Sequence, residues 1–135
     1  MGMDATAVVA ELADKARLAA RTLIAATNKD RSEALNRIAE ELQSSEIEIL
    51  AANGEDMARA REEAMADSMQ DRLLLTSARI SDMAAGAIQV SKLESPLGKT
   101  LRENTLPNGL HLKQISVPFG VVGMVYEARP NVTVD

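Results

Sequence analysis

An apolar segment from Val117 to Tyr126 restricts the possible folds of this chain more than any other feature of the sequence. Apolar residues follow one another with two glycines between them, and no polar alternation leaves one face open to water. Such a run is typical of a strand that is covered on both faces, as in a parallel sheet. The segment therefore predicts an α/β fold in which 119–126 forms a buried strand.

The residues after this apolar segment are chemically different. Glu127, Arg129, Pro130 and Asn131 place opposite charges, a rigid ring and an amide within five residues. Ligand sites of open parallel sheets lie at the carboxyl ends of the strands, so this turn is a candidate site. The sequence ends at Asp135 with no later strand to pair with the first. We therefore expect the chain to be a fragment.

The residues before Pro96 are predicted to be helical, because apolar residues recur there at three- and four-residue steps. The pattern indicates a first helix over about 4–26 and a second carried by Leu35, Ile38 and Leu42. Asp30 with Glu33, and Ser45 with Glu48, resemble capping boxes that open the second and third helices. The pattern also indicates a third helix that ends near 63, and a close packing contact is expected at Gly54 within it. A short helix or turn follows over 66–76, and a last helix is capped by Thr76 or Ser77.

Two strand-like segments, 100–106 and 110–117, follow the helices. Pro107, Asn108 and Gly109 separate them and provide the Asn-Gly signal of a tight hairpin turn. The apolar side chains of the second segment change phase, which predicts either a bulge or a change of faces near Lys113 and Gln114. Because an isolated two-stranded ribbon is marginal in water, we expect the hairpin to dock on another subunit or on a segment absent from this chain.

Composition excludes several classes of function. The formal net charge of −5 and the pI near 4.9 give no basic surface for nucleic acid. There is no cysteine, so a disulfide or a thiol nucleophile is excluded here, and the single histidine, His111, cannot make a metal site alone. With no membrane-length apolar run and no signal peptide, we expect a soluble cytoplasmic protein. One Phe, one Tyr and no Trp leave the core to aliphatic residues.

Several strings resemble the γ-glutamyl phosphate reductase (glutamate-5-semialdehyde dehydrogenase) family, a branch of the aldehyde dehydrogenase superfamily. The resemblance covers nearly the whole chain and is limited to the N-terminal portion of that family. The strings occur in the family's order: LAARTLIAATNKDRSEALNRIAEEL, ILAANGEDMARAR, DRLLLTSARISDMA, PNGL and PFGVVGMVYEARPNVTVD.

The resemblance implies NADPH-dependent reduction of γ-glutamyl phosphate to glutamate 5-semialdehyde in proline biosynthesis, through a cysteine thioester outside this chain. It implies an aldehyde-dehydrogenase-like fold and the N-terminal part of a Rossmann-like cofactor domain. Residues 1–96 would form its helical part, 97–118 an oligomerisation hairpin, and 119–135 the first buried strand and active-site loop. The catalytic domain would be absent. The expected partners are the small-molecule substrate, further copies of the protein and glutamate 5-kinase, with no nucleic acid or membrane.

The resemblance also assigns roles within the last segment. Asn131 corresponds to an amide that donates to the reaction's oxyanion; the alternative is an Asn turn that only shapes the loop. Arg129, with Glu127 nearby, would bind the substrate, and the alternative is an Arg129–Glu127 ion pair. The backbone of Val125, Tyr126, Glu127 and Ala128 would lie close to the nicotinamide of NADP(H). No metal site is expected.

A second class of function stays open at this stage. The 135 residues could act alone, as a non-catalytic helical module whose hairpin mediates assembly. The coding sequence beyond Asp135 separates the two hypotheses, because a later cysteine favours the enzyme and an immediate stop codon excludes it.

Overall fold

The computed structural model describes residues 4–134, and these form five α-helices, a two-stranded antiparallel sheet and one 3₁₀ helix. The predicted segments 1–96 and 119–135 extend to residues 1–3 and 135, which lie outside the described residues. In chain order the elements are α1 (Ala5–Ala25), α2 (Asn28–Ser44), α3 (Glu46–Glu62), α4 (Asp67–Leu73), α5 (Ser77–Ser91), β1 (Thr100–Thr105), β2 (His111–Ile115) and a 3₁₀ helix (Pro130–Thr133). The prediction of helices followed by a hairpin is confirmed.

The chain divides into two compact units. The helical unit comprises 29–93 together with 124–134, and the hairpin unit comprises 4–28 together with 94–123. The helical unit contains α2 to α5 and the turn that follows the apolar segment. It therefore holds the predicted site residues.

Small side chains form the centre of the helical unit. Ala39 of α2 packs with Ala84 and Ala87 of α5, and Leu42 and Ile88 cover this cluster. Alanines let two helix backbones approach closely, which suits a chain that is poor in aromatic residues. At one end of the same contact, the hydroxyl of Ser32 donates to the Ser91 carbonyl oxygen at 2.8 Å.

Asn53 of α3 fixes the connection between α4 and α5. Its side chain is only 6% exposed. The amide nitrogen donates to the Leu73 carbonyl oxygen at 2.8 Å, and the amide oxygen accepts from the Leu75 N–H at 2.7 Å. One amide thus satisfies two backbone groups of a segment without regular structure, which holds Leu75 in a buried position.

Helix caps agree with the sequence at one of three positions. Thr76 caps α5 as predicted, since its hydroxyl accepts from the Arg79 N–H at 3.2 Å. The predicted cap at Asp30 is wrong, because α2 already begins at Asn28 and Asp30 lies in its first turn. A carboxylate in that position still stabilises the helix through its interaction with the helix dipole. The predicted side-chain cap at Ser45 is also wrong: its N–H continues α2 by donating to Glu41, and its φ and ψ of −94° and 11° are not those of a capping residue.

Gly54, beside Asn53 in α3, has no close neighbour. A Cβ built there meets no atom within 4 Å, so the expected close contact is wrong. We therefore predict that Gly54→Ala raises the free energy of unfolding by about 1 kcal/mol, through helix propensity alone. Urea unfolding followed by circular dichroism measures this change. Gly109→Ala is the contrasting control and should destabilise, because Gly109 has a φ of +83°; a loss of stability in Gly54→Ala would contradict the prediction.

In the hairpin unit, β1 and β2 pair antiparallel with Thr105 opposite His111. Pro107, Asn108 and Gly109 form the turn. The Gly109 N–H donates to the Leu106 carbonyl at 2.9 Å, and the Leu106 N–H donates to the Leu110 carbonyl, also at 2.9 Å. This is a three-residue hairpin loop with glycine in the left-handed position. The predicted bulge lies elsewhere, because the register shifts between Thr100 and Arg102 of β1. The extra residue is therefore on the incoming strand, and β2 itself is regular.

Apolar side chains of the hairpin unit are exposed to solvent. No residue of α1 is buried, and every residue of β1 and β2 is exposed. The hairpin's base is held by Ser116, whose N–H donates to the Lys99 carbonyl at 3.0 Å. Lys99 also bonds to Glu94 at 2.7 Å, and this hydrogen bond and the ammonium charge hold the pKa of Glu94 below its usual value. The unit's order thus comes from backbone pairing and local polar contacts.

The predicted buried strand over 119–126 is wrong for the described chain. No strand forms there, and the exposed fractions of Phe119 and Val125 are 99% and 102%. A strand needs a hydrogen-bonded neighbour, and the two strands among residues 4–134 pair only with each other. The apolar composition of the segment is suited to a buried strand, but the partners for one are lacking in this part of the chain.

Candidate active site

The chain turns sharply after the apolar segment. Ala128 has a φ of +50°, a left-handed conformation that is uncommon for a residue with a side chain. Arg129 precedes the 3₁₀ helix, and Pro130 occupies its first turn, where the fixed φ of proline is favourable. The Val132 N–H donates to the Arg129 carbonyl at 3.1 Å, and the Val134 N–H to the Asn131 carbonyl at 2.9 Å. These bonds fix the backbone of the turn that carries Arg129 and Asn131.

A side-chain hydrogen bond closes this turn. The Tyr126 hydroxyl lies 2.6 Å from the Thr133 hydroxyl oxygen. The bond joins the last residue of the apolar segment to the 3₁₀ helix and spans the left-handed Ala128. The single tyrosine of the chain therefore has a local structural role.

Arg129 and Asn131 line an open groove of about 680 Å³ within the helical unit. We call it the α5 groove, because one face of α5 forms much of its wall. Residues three or four apart on a helix share a face, which explains most of the contributing set on α5: Arg79, Asp82, Met83, Gly86, Ala87 and Val90, with Gln89 at its edge. The lining residues from outside α5, besides Arg129 and Asn131, are Leu35, Asp71, Arg72, Leu74, Leu75 and Val134.

One arginine of the α5 groove is engaged in structural contacts. The Arg79 guanidinium donates to the Leu74 carbonyl oxygen at 2.5 Å and also to the Asp71 carbonyl oxygen. It lies 3.2 Å from the Asp71 carboxylate as well. Arg79 therefore ties the end of α4 and the following connection to the first turn of α5.

Three other charged groups of the groove have no such engagement. Among residues 4–134, no hydrogen bond or ion pair is formed by the charged ends of Arg72, Asp82 or Arg129. The groove consequently offers two guanidinium groups and one carboxylate to a ligand, beside the amide of Asn131 and a largely aliphatic wall. Such a mixture suits a small polar molecule that carries charges of both signs.

The structure brings together some of the residues predicted from the sequence. Arg129 and Asn131 share the α5 groove, whereas Glu127 is exposed and does not line it. The alternative ion pair between Arg129 and Glu127 is not formed in the described part of the chain. Asn131 is exposed and has an interaction of its own.

Sequence reasoning missed Arg72, Arg79 and Asp82 as members of the site. Their signal was the string DRLLLTSARISDMA, which carries all three. The string by itself does not indicate a site, because nothing in its periodicity shows that the 129–134 turn lines the same groove. In residues 4–134 there is also no cluster of His, Asp or Glu suited to a metal ion and no helix long and apolar enough to span a membrane.

Two of three comparisons with known proteins find similar proteins. No family model matches the chain. It is 46% identical over 127 residues to a gamma-glutamyl phosphate reductase of Thermobifida fusca and 47% identical to one of Desulforamulus reducens, with 94% of the chain covered in both. The chain spans only 30% and 31% of the length of these relatives.

Solved structures give the same result. The crystal structure of gamma-glutamyl phosphate reductase from Thermotoga maritima matches with a TM-score of 0.85 and 39% identity, and the one from Saccharomyces cerevisiae with 0.84 and 35%. Each match covers 92% of this chain and 30% or 32% of the solved chain. The resemblance seen in the sequence is therefore confirmed, and the chain is similar in sequence and fold to the N-terminal portion of gamma-glutamyl phosphate reductases.

Proposed function

We propose that this chain supplies part of the active site of an NADPH-dependent reductase that converts γ-glutamyl phosphate to glutamate 5-semialdehyde in proline biosynthesis. The observation that carries the proposal is the placement of Arg129 and Asn131 on one groove. The names of the relatives support the reaction class, although the chain spans less than a third of one such relative. The thioester-forming cysteine would be supplied by a segment outside these residues, since they contain no cysteine.

In this proposal Asn131 stabilises negative charge. Its side-chain NH₂ would donate to the acyl oxygen of the substrate as that oxygen becomes an oxyanion. An amide held in position before the reaction needs no reorganisation, and one such donor contributes about 3 kcal/mol to transition-state stabilisation. The 3₁₀ helix and the Tyr126–Thr133 bond support this role, because they restrict the loop that carries Asn131.

Arg129 would bind the phosphate of the acyl phosphate. A guanidinium makes two parallel hydrogen bonds to a phosphate, and its charge offsets that of the departing group. The lack of a protein partner for its guanidinium among residues 4–134 leaves these donors available. Glu127, two residues earlier and exposed, is the weaker candidate for substrate contact.

The backbone of Val125 to Ala128 fits a role beside NADP(H). None of its N–H or C=O groups makes a hydrogen bond within residues 4–134, so they can bind the polar edge of a nicotinamide. When bound, the cofactor supplies the hydride of the reduction. In the complete protein the apolar segment would join a Rossmann-like parallel sheet, with the charged turn at the carboxyl end of its strand.

We also propose that the protein is a cytoplasmic homo-oligomer assembled through the hairpin. Within residues 4–134 each strand has one unpaired edge, and Leu101, Leu112 and Ile115 are 64%, 47% and 52% exposed. Open edges with apolar side chains favour pairing with another chain. Sedimentation of the protein with and without Leu112→Lys tests this; a monomer before the substitution excludes hairpin assembly. The association with glutamate 5-kinase follows from the family alone, and co-sedimentation with that kinase checks it.

The reaction itself is tested on the complete gene product. In the reverse direction, glutamate 5-semialdehyde, phosphate and NADP⁺ should yield reduced nicotinamide absorbance, and omission of phosphate should abolish it. The phosphate requirement separates this reaction from a simple aldehyde oxidation to the acid. A gene product with no cysteine and no such turnover would instead support the non-catalytic assembly module.

A further inference from the structure

Two of the residues with unengaged charges, Arg72 and Asp82, both line the α5 groove. Arg72 immediately follows Asp71, whose carboxylate is 3.2 Å from the Arg79 guanidinium. Asp82 lies nearly one helical turn beyond Arg79 on α5 and shares its face. The groove wall therefore carries a free guanidinium and a free carboxylate, each within three residues of a member of the Asp71–Arg79 ion pair.

The availability of Asp82 has a structural cause. A carboxylate three residues after an arginine on a helix commonly pairs with it. Here the Arg79 side chain is directed to the connection before the helix, where it bonds to the Asp71 and Leu74 carbonyl oxygens. Asp82 loses its natural partner, and Arg72 does not replace it, since no ion pair joins these two among residues 4–134.

We infer that Arg72 and Asp82 recognise the α-amino acid end of the substrate. The Arg72 guanidinium would bind the α-carboxylate, and the Asp82 carboxylate would bind the α-ammonium. A paired cation and anion are complementary to a zwitterion, whereas arginines alone would accept any dicarboxylate. This inference rests on the proposed function, because it assumes that the substrate is a glutamyl derivative.

The dimensions of the groove allow both ends of such a substrate to be held. The lining face of α5 from Arg79 to Val90 spans about 16 Å at the rise of an α-helix. The α-carbon and the γ-carbonyl carbon of a glutamyl group are only about 4 Å apart when extended, as three carbon–carbon bonds separate them. Arg129 and Asn131 line the same groove and would serve the reacting end.

Binding measurements with this chain can test the contact to the α-carboxylate and the contact to the α-ammonium separately. The probe is L-glutamate γ-methyl ester, which keeps the α-groups and has an uncharged γ-acyl group. Glutarate monomethyl ester lacks the ammonium, and 4-aminobutyrate methyl ester lacks the α-carboxylate. Amide shifts in ¹H–¹⁵N spectra give Kd for each, and loss of either group should weaken binding about tenfold.

Substitutions then assign each preference to a residue. Asp82→Asn should abolish the preference for the ammonium and keep that for the α-carboxylate, while Arg72→Gln should do the reverse. Glu55→Gln and Arg61→Gln remove matched charges from α3, outside the groove, and should keep both preferences. Equal binding of the three esters by the original chain, or preferences that survive both groove substitutions, would overturn the inference. In that case the complete protein would still reduce γ-glutamyl phosphate. Failure of the inference about Arg72 and Asp82 can therefore be distinguished from failure of the proposed function.

Discussion

If the complete protein catalyses the proposed reduction, replacing Asn131 with alanine is expected to lower its kcat by about 100- to 1,000-fold. In the proposed role the amide would donate to an oxygen that is negatively charged only in the transition state, which is the reason for the loss. The substitution would thus weaken binding of the transition state but not binding of the substrate, so KM should change little. Steady-state rates of nicotinamide oxidation with γ-glutamyl phosphate measure both constants.

A matched control separates this effect from the loss of any exposed amide. Asn104→Ala removes an asparagine from exposed β1, outside the α5 groove, and should leave kcat within twofold of the original value, roughly the range of a neutral surface change. An increase in KM with unchanged kcat in Asn131→Ala would contradict the oxyanion role. It would instead support the alternative, in which Asn131 only shapes the loop.

Asn53→Ala is expected to lower the free energy of unfolding by about 3 kcal/mol. The substitution leaves the Leu73 carbonyl and the Leu75 N–H without their partner, and each unsatisfied buried group costs about 1–3 kcal/mol. The better helix propensity of alanine offsets only about 0.6 kcal/mol. Urea unfolding followed by circular dichroism gives the change directly.

Two further variants test the cause of this destabilisation. Asn53→Asp keeps the acceptor for Leu75 but directs a second oxygen at the Leu73 carbonyl, so it should be about as harmful as alanine. Asn36→Ala removes another asparagine of the helical unit, which accepts one hydrogen bond from Ser91, and should cost about 1 kcal/mol. A destabilisation below about 1 kcal/mol in Asn53→Ala would show that water replaces the amide.

The helices could be predicted from the sequence because their information is local. The spacing of Val8, Leu12 and Leu23 fixes a helical period, and the predicted first helix over 4–26 differs from α1 by one residue at each end. The turn at Pro107, Asn108 and Gly109 was equally local, since glycine there supplies the left-handed conformation. Apolar period and turn chemistry therefore determine the order and the type of these elements.

The strand over 119–126 could not be predicted correctly, because a strand depends on residues elsewhere. Its apolar composition indicates what would cover it but supplies no neighbour with free backbone groups. The bulge was misplaced for a similar reason: the phase change in β2 shows that the register shifts but not which strand holds the extra residue. Arg129 and Asn131 were candidates from the residues of their turn, whereas only the fold shows that Arg72 and Asp82 line the same groove.

The Asn53 contact also bears on the order in which the helical unit folds. It closes a loop of 22 residues to Leu75, whereas the bond from Ser32 to Ser91 closes one of 59. By chain entropy alone the longer closure costs about 0.9 kcal/mol more. We therefore expect α3, α4 and the start of α5 to assemble before α2 docks, so that Asn53→Ala slows refolding while Ser32→Ala mainly speeds unfolding in stopped-flow kinetics. An amide buried within one helix would thus set the sequence of events by which its neighbours come together.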